Sequence, residues 1–273
     1  MQTNDLLITL SPEDRQALED AYRHLEHPSL AARLTNVVGT PIEIGLHLLP
    51  KNWYDKLHTG VERAITKALD MAISSLHPHY PSMAHEHFYK VLGASTGAVG
   101  GVFGLAGLIV ELPITTAIML RAIADIAHSQ GESMGSLDTR LACMQVFALG
   151  GRSEEDDASD TGYYGVRLAL ALSVSNAVEH IAEKGINKKS GPALVNLLTR
   201  VSSRFGVVVS ERAAAQIIPI VGAAGAALIN TIFIHHFQDM ARGHFTIRRL
   251  ERKYGPDLVE AAYTSLSSPP VHG

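Results

Sequence analysis

Three pairs of acidic and histidine residues have the spacing of a metal site on a helix. Their members are three or four positions apart, which places both side chains on one helical face. The pairs are Asp125 with His128, His180 with Glu183, and His235 with Asp239. A carboxylate bundle that holds two metal ions uses Glu-x-x-His motifs, and the sequence contains none. We interpret each pair as a surface ion pair or a hydrogen-bonded histidine, and we predict no metal.

A denser group of histidines surrounds a proline-rich turn. Its members are His77, His79, His85 and His87. Glu86 is the one carboxylate among them, so the pattern is more typical of solvated surface than of a metal site. The alternative is a metal-dependent or lipid-processing enzyme built on buried carboxylates and histidines, which would lose its metal when His128 or His235 becomes alanine.

Support for a catalytic nucleophile, a phosphate-binding loop or a calcium-binding loop is weaker than support for a metal site. Cys143 is the single cysteine and lies in the apolar helical pattern LACMQVFALG, which predicts a buried, inert thiol. The sequence has no phosphate loop ending in Gly-Lys-Ser or Gly-Lys-Thr, and we predict no hydrolase triad. The acidic segment 154–160 lacks the alternating ligands of a calcium loop and is interpreted as a solvated linker. We assign no catalytic residue, predict no cofactor and favour a protein that is not an enzyme.

The composition and charge of the chain exclude several classes of protein. Of 273 residues, 46% are hydrophobic and 18% are charged, which excludes a disordered chain. The net charge of −4 gives no attraction for phosphate backbones, so we predict no nucleic-acid partner. The first residues lack a secretory signal, since the short apolar run after Asp5 ends at Ser11 and Pro12. We therefore expect a cytoplasmic protein, free or peripheral to the inner face of the membrane.

Apolar residues recur every three or four positions along most of the chain, whereas signals for strands are scarce. The pattern predicts helices over Pro12–Leu25, Trp53–Leu76, Met83–Leu92, Leu137–Leu149, Tyr163–Lys184 and Pro192–Phe205, and a short helix after Pro256. We predict an all-α single domain, a helical bundle in which amphipathic helices wrap two central glycine-rich apolar helices. Its parts are an N-terminal helix (1–28), the main helical domain (29–255), and a short helix with a loose tail (256–273).

The two apolar helices are predicted from runs without formal charge, residues 91–110 and 213–238. Small residues recur in both runs at intervals of three or four, which allows close packing of helices in bilayers and in protein cores. In the first run they are Gly93, Gly97, Gly100, Gly104 and Gly107, and in the second Ala215, Pro219, Gly222 and Ala226. We predict that the two stripes pack against each other, either inside a soluble bundle or in a bilayer.

Charged residues return directly after the first run. Glu111, Arg121 and Asp125 are costly in lipid and tolerable in a protein core when paired, so we predict that they form a buried polar cluster acting as a hinge. Pro113 indicates a kink or a fresh helix start. A basic amphipathic helix is predicted over Arg242–Lys253, which we call the closing basic segment. It either lies on anionic lipid or caps the bundle with exposed charges.

Four stretches resemble the EcsC family. The string GGVFGLAGLIVELPITTAIMLRAIADIAHSQG resembles its central signature, with an acidic residue two positions before a proline. TGYYGVRLAL, IIPIVGAAGAALINTIF and ARGHFTIRRLERKYG resemble its later helices, so the likeness spans roughly Ala31 to Gly255. The family is named for a protein encoded with the parts of an ABC transporter and is usually treated as membrane-associated. The resemblance implies a fold and no reaction.

The leading hypothesis is a non-enzymatic, membrane-associated or transporter-associated helical protein. Its apolar, glycine-striped helices would contact membrane lipid or a membrane protein. The metal-dependent or lipid-processing enzyme is the first alternative, and a soluble scaffold that binds another protein through the same helices is the second.

Overall fold

The computed structural model describes residues 9–26, 29–74, 104–151, 162–184, 191–218 and 222–266. These residues form ten α-helices and no strand, which confirms the predicted all-α helical bundle. In chain order the helices are α1 (Pro12–Glu26), α2 (Leu30–Val38), α3 (Ile42–Leu48), α4 (Trp53–Ser74), α5 (Gly104–Ser129), α6 (Leu137–Leu149), α7 (Gly162–Lys184), α8 (Pro192–Ile217), α9 (Gly222–Tyr254) and α10 (Pro256–Ser265).

Local side-chain chemistry sets the ends of several helices. The Asp14 backbone N–H donates to the Ser11 hydroxyl at 3.2 Å, which caps the start of α1. The Ala32 backbone N–H donates to the Ser29 hydroxyl in the same way at the start of α2. Gly39 ends α2 with a φ of 69°, a conformation that costs glycine little. These signals fix where the short N-terminal helices begin and end.

Helix α6 is enclosed on all sides. Every residue from Leu141 to Ala148 is buried, and α6 packs against α4, α5, α7, α8 and α9. A helix that is hydrophobic around its whole circumference is stable only when other helices cover it completely. Helix α6 therefore lies at the centre of the hydrophobic core. The Cys143 side chain is buried there, as predicted.

The second uncharged run does not form one helix. Helix α8 continues to Ile217, beyond the predicted end at Phe205, and α9 begins at Gly222. Ile218 has an extended backbone, the conformation that a residue before a proline prefers, and Pro219 follows it in the sequence. The predicted stripe of Ala215, Gly222 and Ala226 is therefore divided between two helices. The closing basic segment is not a separate helix, because it forms the last part of α9.

The first run is described only from Gly104 onward. Gly93, Gly97, Gly100 and the predicted helix Met83–Leu92 lie outside the described residues, so the packing of the glycine stripes stays a prediction. Helix α5 passes through Pro113 without a fresh start. Packing of α4, α6, α8 and α9 against α5 stabilises this continuous helix despite the hydrogen bond that the proline removes.

One end of the bundle collects the ends of three helices. Arg212, near the end of α8, contacts both Glu111 in the second turn of α5 and Phe233 in the early part of α9. Near the opposite ends of α5 and α9, Arg249 donates to Gln130 at 3.1 Å. Helices α5 and α9 therefore run in the same direction and α8 runs against them.

Candidate functional site

A buried ion pair joins α5 to α8. The Arg212 Nη2 atom donates to Glu111 Oε1 at 2.8 Å, and the Thr115 hydroxyl donates to the same oxygen at 2.8 Å. The side chain of Arg212 is 0% exposed and that of Glu111 is 7% exposed. Water cannot screen a pair at this depth, so each charge depends on the other for compensation.

The environment of Arg212 is otherwise largely apolar. Its guanidinium carbon lies 4.9 Å from the centre of the Phe233 ring on α9, a cation–π distance. Burial lowers the pKa of Arg212, an effect that the charge and hydrogen bond of Glu111 oppose. A guanidinium starts from so high a pKa that it stays protonated here. The pair is thus a true salt bridge in the interior.

Several polar atoms at this junction have no hydrogen-bond partner. They are Arg212 Nε and Nη1, Glu111 Oε2 and Gln216 Nε2. Gln216 lies one turn after Arg212 on α8, so both project from the same helical face. Buried polar atoms are almost always paired in proteins, with protein groups or with ordered water, so these atoms have hydrogen-bonding capacity that no protein group uses.

Of the two charged partners, only Glu111 is predicted from the sequence as a member of a buried polar cluster, whereas Arg212 is not. Arg212 carried one local signal, since it is the last formally charged residue before the uncharged run 213–238. Arg121 lies ten positions beyond Glu111 on α5, which is about 15 Å along the axis and beyond the reach of a direct ion pair. The predicted polar hinge of Glu111, Arg121 and Asp125 stays a prediction.

Exposed apolar side chains surround this end of the bundle. Val110 on α5 is 76% exposed, although it adjoins Glu111 in the sequence. We call the apolar end the set of five residues Ile44, Leu48, Val110, Ile114 and Leu228, the other four of which are about half exposed. Helix α3 belongs to this end, because a Cβ on Gly45 would lie 2.4 Å from the carbonyl oxygen of Ala214, two residues after Arg212.

Helix α5 also has the length and composition of a membrane span. Within Gly107–Ser129 the most apolar window has a mean hydropathy of 1.6, and 56% of that window is buried inside the bundle. It is the one helix of this kind among the residues that the structure describes. A core helix of a soluble protein has the same properties, so the exposure of Val110 and Ile114 carries more information than the hydropathy.

The predicted metal-ligand pairs are distributed over three helices. His128 is exposed at the end of α5, Glu183 is exposed on α7, and His235 is partly buried on α9. Asp239 accepts hydrogen bonds from Arg33 and Arg242 at 2.6 and 2.8 Å. Within the described ranges, no three histidine, cysteine or acidic side chains are grouped so that they could hold a metal ion. His180, the remaining candidate, packs against Gly191.

Two other histidines, His236 and His244, are buried, and neither was predicted from the sequence as a buried residue. His236 Nε2 lies 2.9 Å from the Gly150 carbonyl oxygen, and His244 Nδ1 lies 2.8 Å from the Tyr163 hydroxyl. Burial lowers the pKa of His236 to about 4 and that of His244 well below its ordinary value. Both imidazoles are therefore neutral at pH 7 and join α9 to its neighbours.

Cations of the closing basic segment of α9 are paired with acidic side chains of other parts of the bundle. Arg248 donates to both oxygens of Glu132, at 2.8 and 3.1 Å. Arg249 and Lys253 contact the two oxygens of Asp14 at 3.1 and 2.6 Å. Because acidic side chains neutralise these cations, their contacts favour the bundle cap over the anionic-lipid alternative.

Residues 13–250 match the model of the EcsC protein family. The chain belongs to the EcsC family. Comparisons with curated proteins and with solved structures gave no match. In this EcsC protein the acidic residue two positions before the proline is Glu111, which lies in the buried ion pair. The aromatic-then-arginine stretch also has a structural role, because Arg167 donates to both oxygens of Glu251 at 2.6 and 2.7 Å.

Proposed function

We propose that this EcsC protein is a non-enzymatic, membrane-associated protein whose apolar end contacts lipid at the inner face of the membrane. The observation that carries the proposal is the 76% exposure of Val110 on α5, the helix with the composition of a membrane span. Transfer of a valine or isoleucine side chain out of water contributes about 1.5–3 kcal/mol. Several such side chains at one end of the bundle supply enough free energy for reversible binding to a bilayer.

The charges indicate how the protein would bind. Cations of the closing basic segment are paired with Asp14 and Glu132, so they offer little to an anionic headgroup. Binding through the apolar end therefore depends on insertion of apolar side chains more than on electrostatic attraction. We expect uncharged phosphatidylcholine vesicles to bind the protein, with little change as the salt concentration rises.

Vesicle flotation tests this proposal. Val110→Glu places a charge at the apolar end and is expected to reduce the bound fraction at least tenfold. Leu168→Glu is the matched control, because Leu168 is 77% exposed on α7, a helix that contributes nothing to the apolar end. The proposal fails if the wild-type protein does not float with the vesicles, or if the two substitutions weaken binding equally.

A soluble scaffold is the second candidate, and the same exposed residues favour it if the partner is a protein. In that case the wild-type protein stays at the bottom of the gradient with every vesicle composition. Val110→Glu then weakens binding to the protein partner instead.

A further inference from the structure

The unpartnered atoms at the Glu111–Arg212 junction have a definite chemical character. The unpaired donors are three nitrogens, Arg212 Nε, Arg212 Nη1 and Gln216 Nε2, whereas Glu111 Oε2 is the one unpaired oxygen among these three side chains. Unpaired donors still outnumber unpaired acceptors when Gln216 is left out, because Arg212 has two unpaired nitrogens and Glu111 has one unpaired oxygen. A guest at this junction must therefore supply oxygen lone pairs.

The charge of the junction limits the guest further. Arg212 and Glu111 already neutralise each other. An anion would leave one negative charge uncompensated in a buried site, and a cation would face an excess of N–H donors. A group that accepts hydrogen bonds without carrying charge satisfies both conditions, and a carbonyl oxygen is such a group.

The surroundings indicate what carries that oxygen. Val110 adjoins Glu111 in the sequence and Ile114 lies one turn beyond Val110, so exposed apolar side chains lie on the same turns of α5 as the buried carboxylate. An acyl ester combines an uncharged carbonyl oxygen with an apolar chain. We propose that the junction binds the carbonyl oxygen of an uncharged acyl ester of the glyceride class, with its acyl chain against the apolar end. This inference rests on the proposed contact with lipid and names the chemical group that is recognised.

Two lipids that differ at the carbonyl group test the inference. The probes are 1-monooleoylglycerol and its ether counterpart 1-O-oleylglycerol, titrated below their aggregation concentrations into the full chain by calorimetry. A hydrogen bond from a buried guanidinium to the carbonyl oxygen is expected to favour the ester about tenfold. Arg212→Lys and Gln216→Leu are each expected to reduce this preference severalfold, because each removes an unpaired donor.

Gln216→Leu keeps the test decisive if Arg212→Lys does not fold, since Gln216 has an unpaired amide nitrogen and lies outside the ion pair. Gln16→Leu is the matched control, because Gln16 lies on α1 and donates to Asp20. Equal affinity for ester and ether overturns the inference, as does an ester preference that Gln216→Leu leaves unchanged.

The outcomes separate the two proposals. Flotation with vesicles but no ester preference overturns the carbonyl site and leaves the membrane contact standing, with water then filling the junction. An ester preference without flotation overturns the membrane contact and leaves a site for a single lipid molecule.

Discussion

Replacing Arg212 with methionine will leave the Glu111 carboxylate inside the bundle without its cation. The Thr115 hydroxyl still donates to this carboxylate, but its charge has no compensation and its side chain is only 7% exposed. Removal of one partner from a buried ion pair typically lowers the free energy of unfolding by about 3–5 kcal/mol. If Glu111 is replaced by leucine in the same protein, no buried charge is left, and most of this loss should be recovered.

Urea denaturation followed by circular dichroism measures the effect. With an unfolding slope of about 3 kcal/mol per molar urea, the Arg212→Met midpoint should fall by about 1–1.7 M. Arg23→Met is the control, because Arg23 forms an exposed pair with Asp20 on α1 and such pairs contribute about 0.5 kcal/mol. An Arg212→Met variant as stable as Arg23→Met would contradict the uncompensated buried charge, as would a double variant as unstable as Arg212→Met alone.

Two further predictions concern close packing and acid stability. Gly45→Ala should lower the free energy of unfolding by about 1–3 kcal/mol, because the new methyl group would meet the Ala214 carbonyl oxygen at 2.4 Å. Gly206→Ala on α8 meets nothing within 4 Å and should instead raise it by about 1 kcal/mol, so equal thermal midpoints for the two variants would contradict this view. Burial alone would raise the pKa of Glu132, but the hydrogen bonds and charge of Arg248 leave it below the ordinary value. Glu132 therefore stabilises the fold above about pH 4.5 and loses this effect as the pH falls through its folded-state pKa, so stability should decline less steeply in acid for Glu132→Gln than for the wild-type protein.

Local signals in the sequence predicted most of the long helices. The run Leu137–Leu149 matches α6 at both ends, and Pro256 begins α10, where proline suits the first helical position. Helices α2 and α3 were not predicted, because they have only 9 and 7 residues, too few for apolar periodicity to emerge. The central position of α6 also escaped prediction, since uniform apolarity indicates burial without indicating which helices provide it.

Only one of the two charged residues of the candidate site, Glu111, could be predicted from the sequence. Glu111 drew attention because a carboxylate beside an uncharged run needs a partner, but its cation lies 101 positions away in the sequence. Helical periodicity relates residues three or four apart and cannot show which two helices meet. The same limit applies to the closing basic segment, where the partner of Lys253 is Asp14, 239 positions earlier.

The docking of α1 has a consequence for synthesis of the protein. Helix α1 packs mainly against α9, where Asp14 contacts Lys253 and Leu25 lies against Gly243. On the ribosome, α1 emerges before α9, and roughly 10–50 s pass at the usual rates of translation before α9 follows. During that interval the apolar face of α1, which includes Leu18, cannot pack against α9. We therefore expect a chaperone that binds nascent amphipathic helices to raise the yield of folded chains.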